Sequence, residues 1–146
     1  MNEKKIYFKN KKILIYGFGK SGNACFNFLK KNNICTIFDD NKKNIPTKFK
    51  KKLINIDKLP SFNFDFIVLS PGIDIKKCKI SNYLKKNSSK IITELDIFAI
   101  SYPNINKITV TGTNGKSTTS KLLYEVLKNN KKDVRLTGNI GYPILM

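Results

Sequence analysis

Apolar residues along this chain come in short unbroken runs separated by longer polar stretches. Ile13-Leu14-Ile15-Tyr16 is the first such run. Four apolar positions without polar alternation predict a strand buried on both faces, as in a parallel sheet. Residues 66–69 repeat the pattern, residues 35–38 follow it with one polar residue, Thr36, and residues 90–93 form a shorter version around Ile91-Ile92. Between the runs the period changes. Residues 21–31 place Ala24, Cys25, Phe28 and Leu29 on one face of a helix. Helices are also predicted near residues 81–87 and 94–100. The latter begins with Glu94 and Asp96, acidic residues that suit the positive end of a helix. Residues 41–64 are less regular, with one short helix predicted near residues 49–53.

A second unit follows a turn-rich linker, Tyr102-Pro103-Asn104-Ile105-Asn106. Its pattern predicts a strand over residues 107–111, a glycine-rich turn, a helix over 116–129 and a strand over 133–137. Leu122, Leu123, Val126 and Leu127 mark the apolar face of that helix. Strands alternating with helices predict an α/β fold with parallel sheets. A unit with two strands and one helix buries too little surface to be stable alone. It is expected to lean on the first unit or on further sequence.

The chain has 146 residues and 40% hydrophobic content, enough for one packed domain. Its formal charge of +18 invites a nucleic-acid partner. The kind of charge argues otherwise. Arg135 is the single arginine, so 27 of the 28 basic residues are lysine. Readers of nucleic acid use arginine for bidentate contacts. The lysine pairs are scattered, and Lys, Asn and Ile share AT-rich codons, so genome bias explains the excess and no nucleic-acid partner is expected. Cys25, Cys35 and Cys78 are odd in number and lack metal-ligand spacing. They read as reduced thiols, which suits a cytoplasmic protein. The apolar run at residues 13–16 is too short for a signal peptide or a membrane span.

Two glycine-rich loops carry the candidate chemistry. Gly17-Phe18-Gly19-Lys20-Ser21-Gly22 follows a predicted strand and opens a helix, as in a Rossmann-like nucleotide-binding domain. Asp39 comes 22 residues after Gly17, near where an acidic residue meets a ribose. From these residues alone NAD or FAD, another nucleotide, and simple tight packing all remain open. The second loop is Thr111-Gly112-Thr113-Asn114-Gly115-Lys116-Ser117-Thr118. Its glycines let backbone N–H groups turn inward around a polyphosphate, Lys116 reaches the terminal phosphates, and the Ser117 hydroxyl can hold Mg²⁺. The helix below adds partial positive charge. Val110 stands where the general pattern has its first glycine, so the loop is a variant.

That variant resembles the ATP-binding loop of the Mur ligases, which build the peptide of peptidoglycan. Further blocks resemble the D-glutamate-adding branch in the same order: Gly17–Gly22, Ser70-Pro71-Gly72-Ile73, Thr93–Phe98 and Gly138-Asn139-Ile140-Gly141-Tyr142-Pro143. The resemblance implies a Rossmann-like UDP-sugar-binding domain over residues 1–104. It implies the truncated start of a P-loop α/β ATPase domain over residues 105–146. It implies ATP and Mg²⁺ as cofactors, with UDP-N-acetylmuramoyl-L-alanine and D-glutamate as substrates. Gly112, Thr113, Asn114, Gly115, Lys116, Ser117 and Thr118 would hold ATP, with Lys116 as the catalytic cation. Phe18, Gly19, Lys20 and Ser21 would face the substrate diphosphate, Asp39 the uracil, and Gly72 and Asn139 other parts of the substrate. Where the family often continues with Thr-Arg after the aspartate, this chain has Asp40-Asn41, so the cation that stacks on the base is missing.

The chain has no histidine. The segments in which the family carries its second set of magnesium ligands, a carbamylated lysine and the adenine and D-glutamate sites are also absent. The chain therefore reads as the amino-terminal part of a monomeric ligase, without ligase activity by itself. Two other functions compete with that reading: a non-catalytic module binding NAD or a UDP-sugar, and a basic nucleic-acid-binding protein.

Overall fold

The computed structural model describes residues 7–138 and 141–146. The chain forms two compact units, one reaching to Pro103 and the other beginning at Asn104.

The first unit is built on a four-stranded parallel sheet. Strand β1 (Lys12–Tyr16) is followed by helix α1 (Lys20–Leu29) and strand β2 (Ile34–Phe38). Strand β3 (Phe66–Leu69), helix α2 (Ser81–Lys86), strand β4 (Ile91–Ile92) and helix α3 (Glu94–Ser101) complete it. The order across the sheet is β2-β1-β3-β4. β1 pairs with β2 from Lys12 opposite Ile34 to Tyr16 opposite Phe38, and with β3 from Ile13 opposite Phe66 to Tyr16 opposite Leu69. β4 adds to β3 through Ile67 opposite Ile91 and Val68 opposite Ile92.

The unbroken apolar run of β1 has a direct structural cause. Successive side chains on a strand point to opposite faces. Ile13 and Ile15 enter a cluster with Phe8, Cys25, Leu29 and Ile97. Leu14 and Tyr16 enter another with Phe38, Leu59, Ile80 and Leu84. Every one of these β1 side chains is fully buried, because α1 and α3 cover one face and α2 with the irregular segment before β3 covers the other. That segment forms 3-10 turns, including Thr47–Lys52 where a short helix was predicted. α3 starts with a capping box: Thr93 Oγ1 accepts from the Asp96 amide at 3.3 Å, and Asp96 accepts from the Thr93 amide at 2.7 Å.

The second unit holds helix α4 (Lys116–Asn129), on its predicted boundaries. The two strands predicted beside it are not formed. Residues 107–111 and 133–136 are irregular, and Thr137 makes a single bridge to Tyr142. A strand is stable only with a neighbour that completes its hydrogen bonds, and these segments do not pair with each other. No residue of α4 is buried, and Leu122 and Val126 of its apolar face are 62% and 56% exposed. The unit is thus as thinly packed as its length implied.

Burial also acts on the cysteines. It pushes the Cys25 thiol up to about 12 and that of Cys35 up to about 11, while Cys78 is only half-buried. At mildly alkaline pH the native protein should yield one thiol to Ellman's reagent, and three after denaturation in urea. Leu14→Ala should cost about 2–5 kcal/mol of stability, whereas Leu122→Ala should change it by no more than about 0.5 kcal/mol. Urea unfolding followed by circular dichroism checks both.

Candidate functional site

The sheet order fixes where a ligand can enter the first unit. β2 lies on one side of β1 and β3 on the other. The chain therefore leaves the carboxyl ends of β1 and β3 in opposite directions and opens a crevice between their loops. Gly17–Gly19 and Ser70–Gly72 are those loops.

Their geometry depends on missing side chains. Gly17 has φ +86°, which favours glycine, and its amide donates to Phe38 O at 2.9 Å. Ser70 Oγ donates to Gly17 O at 2.7 Å, and the Ser70 amide to Tyr16 O at 3.0 Å. A Cβ on Gly22 would sit 1.9 Å from Gly17 O, so the first turn of α1 lies directly against that carbonyl. These contacts join β1, α1 and β3 at one point.

A second set of contacts lies at the end of β2. Asp39 Oδ2 accepts from the Phe18 amide at 2.6 Å, and Oδ1 accepts from the Asn41 amide at 2.7 Å. Tyr16 donates its hydroxyl to Asp40 Oδ2 at 2.7 Å. The other Asp40 oxygen is buried with no hydrogen-bond partner. Burial raises the Tyr16 hydroxyl well above the usual phenol range, and its contacts with Asp40 and Cys78 raise it further. It remains a neutral donor.

The predicted substrate residues fall into four groups. Gly19, Lys20 and Gly72 are exposed at the mouth of the crevice and Ser21 is half-buried there, at the start of α1. Asp39 is at the crevice too, but both of its oxygens already serve the loops. Phe18 departs from expectation. Its ring is 7% exposed, lies edge-on to Phe26 and Phe49 at centroid distances of 5.7 and 5.0 Å, and its amide is taken by Asp39. An aromatic side chain between two glycines is drawn into the core by burial of its area, so Phe18 shapes the loop from beneath. Asn139 lies outside the described residues. Sequence reading passed over Tyr16 and Asp40. No spacing signal marks that pair, because it joins the ends of two strands 24 positions apart.

The second unit presents the other loop. Gly112 and Gly115 have φ +146° and +75°, and Thr111 to Gly115 are exposed. α4 begins immediately after, with the Thr119 amide donating to Gly115 O at 2.9 Å. Lys116 Nζ donates to Gly112 O and, at 3.0 Å, to Thr113 O, so its ammonium lies folded over the loop. Ser117 and Thr118 are exposed on the first turn of the helix. Both α1 and α4 open with a lysine and carry no acidic residue in the first turn. Among the described residues no group of three or more His, Cys, Asp or Glu side chains is arranged for a metal ion, and no helix is long and apolar enough to cross a membrane.

Comparison with known proteins agrees with this geometry. Residues 11–92 match the family described as the Mur ligase MurD-like N-terminal domain. The UDP-N-acetylmuramoylalanine–D-glutamate ligase of Rickettsia bellii is 36% identical over 141 residues, covering 94% of this chain and 31% of the relative. The ligases of that name from Oenococcus oeni and Buchnera aphidicola are each 35% identical, covering 94% and 95% of this chain. The chain spans about a third of the length of the relatives it matches, 30% to 32% in these three.

The close contact at Gly22 makes a direct prediction. Gly22→Ala should lower stability by about 1–3 kcal/mol through overpacking against Gly17 O. Ser70→Ala, which removes one hydrogen bond, should cost about 0.5–1.5 kcal/mol. Urea midpoints of the two variants in parallel give the comparison.

Proposed function

The chain belongs to the Mur ligase family through its MurD-like N-terminal domain, and from that we propose that it forms the front part of an ATP-dependent ligase joining D-glutamate to UDP-N-acetylmuramoyl-L-alanine. One observation carries the reading: the similarity to D-glutamate ligases runs through both units, across 94% of the chain. In this reading the first unit holds the UDP-sugar and the second begins the ATP-binding domain. The protein works in the cytoplasm as a monomer, on nucleotide substrates and without nucleic acid as partner.

The chemistry follows from the groups at hand. The substrate carboxylate attacks the γ-phosphorus of ATP, forming a C–O–P bond while the bond to the β-phosphate oxygen breaks. The D-glutamate amine then attacks the acyl carbon and phosphate leaves. Little covalent help is needed from the protein in such a transfer, so positioning and charge dominate. Gly112, Thr113, Asn114 and Gly115 offer backbone amides to the phosphates, and Lys116 offsets negative charge as the phosphoryl group moves. The loop suits a polyphosphate, since it is exposed and turns on two positive-φ glycines before a helix start. Magnesium would add charge neutralisation there. Ser117 is the side chain we assign to it, with Thr118 beside it.

In the first unit Gly19, Lys20 and Ser21 present the start of α1 to the diphosphate, and Gly72 leaves the opposite wall open to the sugar. Asp39 keeps its assignment at the uracil end. Asn139 is assigned to the substrate by family resemblance. A non-catalytic nucleotide module is the second reading, favoured by the absence of buried residues in α4.

Lys116→Ala should weaken ATP binding about tenfold or more, as expected for losing a charged hydrogen-bond donor. Binding of UDP-N-acetylmuramoyl-L-alanine should stay within about twofold. Calorimetry with each ligand tests this, and equal loss of both would refute the assignment of two separate sites.

A further inference from the structure

We infer that the surface around Ile56 in the first unit docks on an anionic membrane, touching it reversibly through lysine ammonium groups and two exposed apolar side chains. This surface lies outside the glycine loops, and its role does not depend on the ligase reading.

The charge here is grouped, not merely abundant. Seven of the 17 residues from Lys42 to Lys58 are lysine, against one acid, Asp57. A biased genome raises the number of lysines along the whole chain and does not concentrate them. All seven are exposed. Among the described residues the salt bridge is Lys11–Asp65, so no carboxylate pairs with them. Folding then brings cations from three segments together. Lys42 Nζ donates to Asn55 Oδ1 at 2.7 Å, which sets the turn after β2 beside the 3-10 turn Ile56–Ser61 that carries Lys58. Lys79, from the segment before α2, lines one groove of about 320 Å³ with Ile56.

Apolar side chains stand beside these cations. Ile56 and Phe62 are 43% and 45% exposed, and Pro60 between them is exposed too. A 3-10 turn rises about 2 Å per residue, so the two side chains start within about 12 Å of each other. The turn is held from beneath, since Leu59 is buried and the Phe62 ring stacks on buried Phe64 at 5.7 Å. Two kinds of partner match cations beside apolar groups, an acidic protein and an anionic bilayer. A stable protein interface takes roughly 800 Å² from each partner around a dry centre, and two half-exposed side chains among lysines do not supply one. A bilayer asks for less. Ammonium groups are point charges without a fixed fork and suit headgroup phosphates in any arrangement. A few apolar side chains need only reach the headgroup boundary. No helix among the described residues is long and apolar enough to cross, so the contact stays at the surface.

The test is sedimentation with vesicles of phosphatidylcholine alone and of phosphatidylcholine mixed equally with phosphatidylglycerol. Three variants accompany the wild-type chain. One is Lys42→Gln with Lys58→Gln and Lys79→Gln. A second removes the same charge at the amino end of the sheet, through Lys9→Gln, Lys30→Gln and Lys31→Gln. The third is Ile56→Ser with Phe62→Ser. Every substituted position is exposed, and circular dichroism checks that each variant folds. The wild-type chain should bind the anionic vesicles about tenfold or more tightly than the neutral ones. The first variant should lose about tenfold, the second should stay within about threefold, and the third should lose about threefold or more. A wild-type chain without preference for the anionic vesicles overturns the inference. So does equal loss in the two lysine variants, which would show a diffuse charge effect, and so does wild-type binding by the third variant. Binding of polyglutamate with the same lysine dependence, and not of vesicles, overturns it in favour of an acidic protein.

Discussion

The carboxyl end of the sheet depends on the absence of a side chain at Gly22. Only because α1 can press its first turn against the carbonyl of Gly17 does the helix start beside the end of β1. Gly17 in turn takes a positive φ, keeps its amide on β2 and gives its carbonyl to Ser70 on the β3 side. Three strands and a helix are thereby registered at one point. Asp39 closes the same loop from the end of β2. The crevice is therefore a by-product of close packing, and its two walls are positioned by the same contacts that stabilise the fold.

Much of this was legible in the residues. β1 read as a doubly buried strand because four apolar side chains in succession have no polar face to show water. α4 appeared on its predicted boundaries, since Gly115 ends the loop and Lys116 to Asn129 carry a helical pattern. The strands around it did not form. Ile108-Thr109-Val110 has strand-forming residues, but propensity describes how a residue suits a sheet and does not provide a partner. The local signal was present at 107–111 and 133–137, and the non-local condition was not met.

The site shows the same division. Glycines that need special backbone angles or close approach leave a mark in the sequence, and so Gly17, Gly112 and Gly115, with positive φ, and Gly22, against Gly17 O, stood out. The loop motif marks Phe18 for the diphosphate, but its flanking sequence does not foretell that its ring packs inward. Phe26 and Phe49 were its partners, one on the next helix and one on a 3-10 turn. Tyr16 with Asp40 joins ends of neighbouring strands, and nothing in either residue's local sequence foretells the pairing.

The lysines that open α1 and α4 have a further consequence. A cation at the positive end of a helix is repelled by the helix itself, by about 0.3–1 kcal/mol in ordinary exposed cases. α3, with Glu94 and Asp96 in its first turn, has the favourable arrangement and serves only as structure. In α1 and α4 no acidic side chain in the first turn offsets the mismatch, and on the proposed nucleotide reading a phosphate would relieve it. On that proposed reading, part of the affinity for phosphate groups would be a defect being corrected. Folding and ligand binding would then be linked quantities, with phosphate-bearing ligands raising the stability of these two helices by mass action.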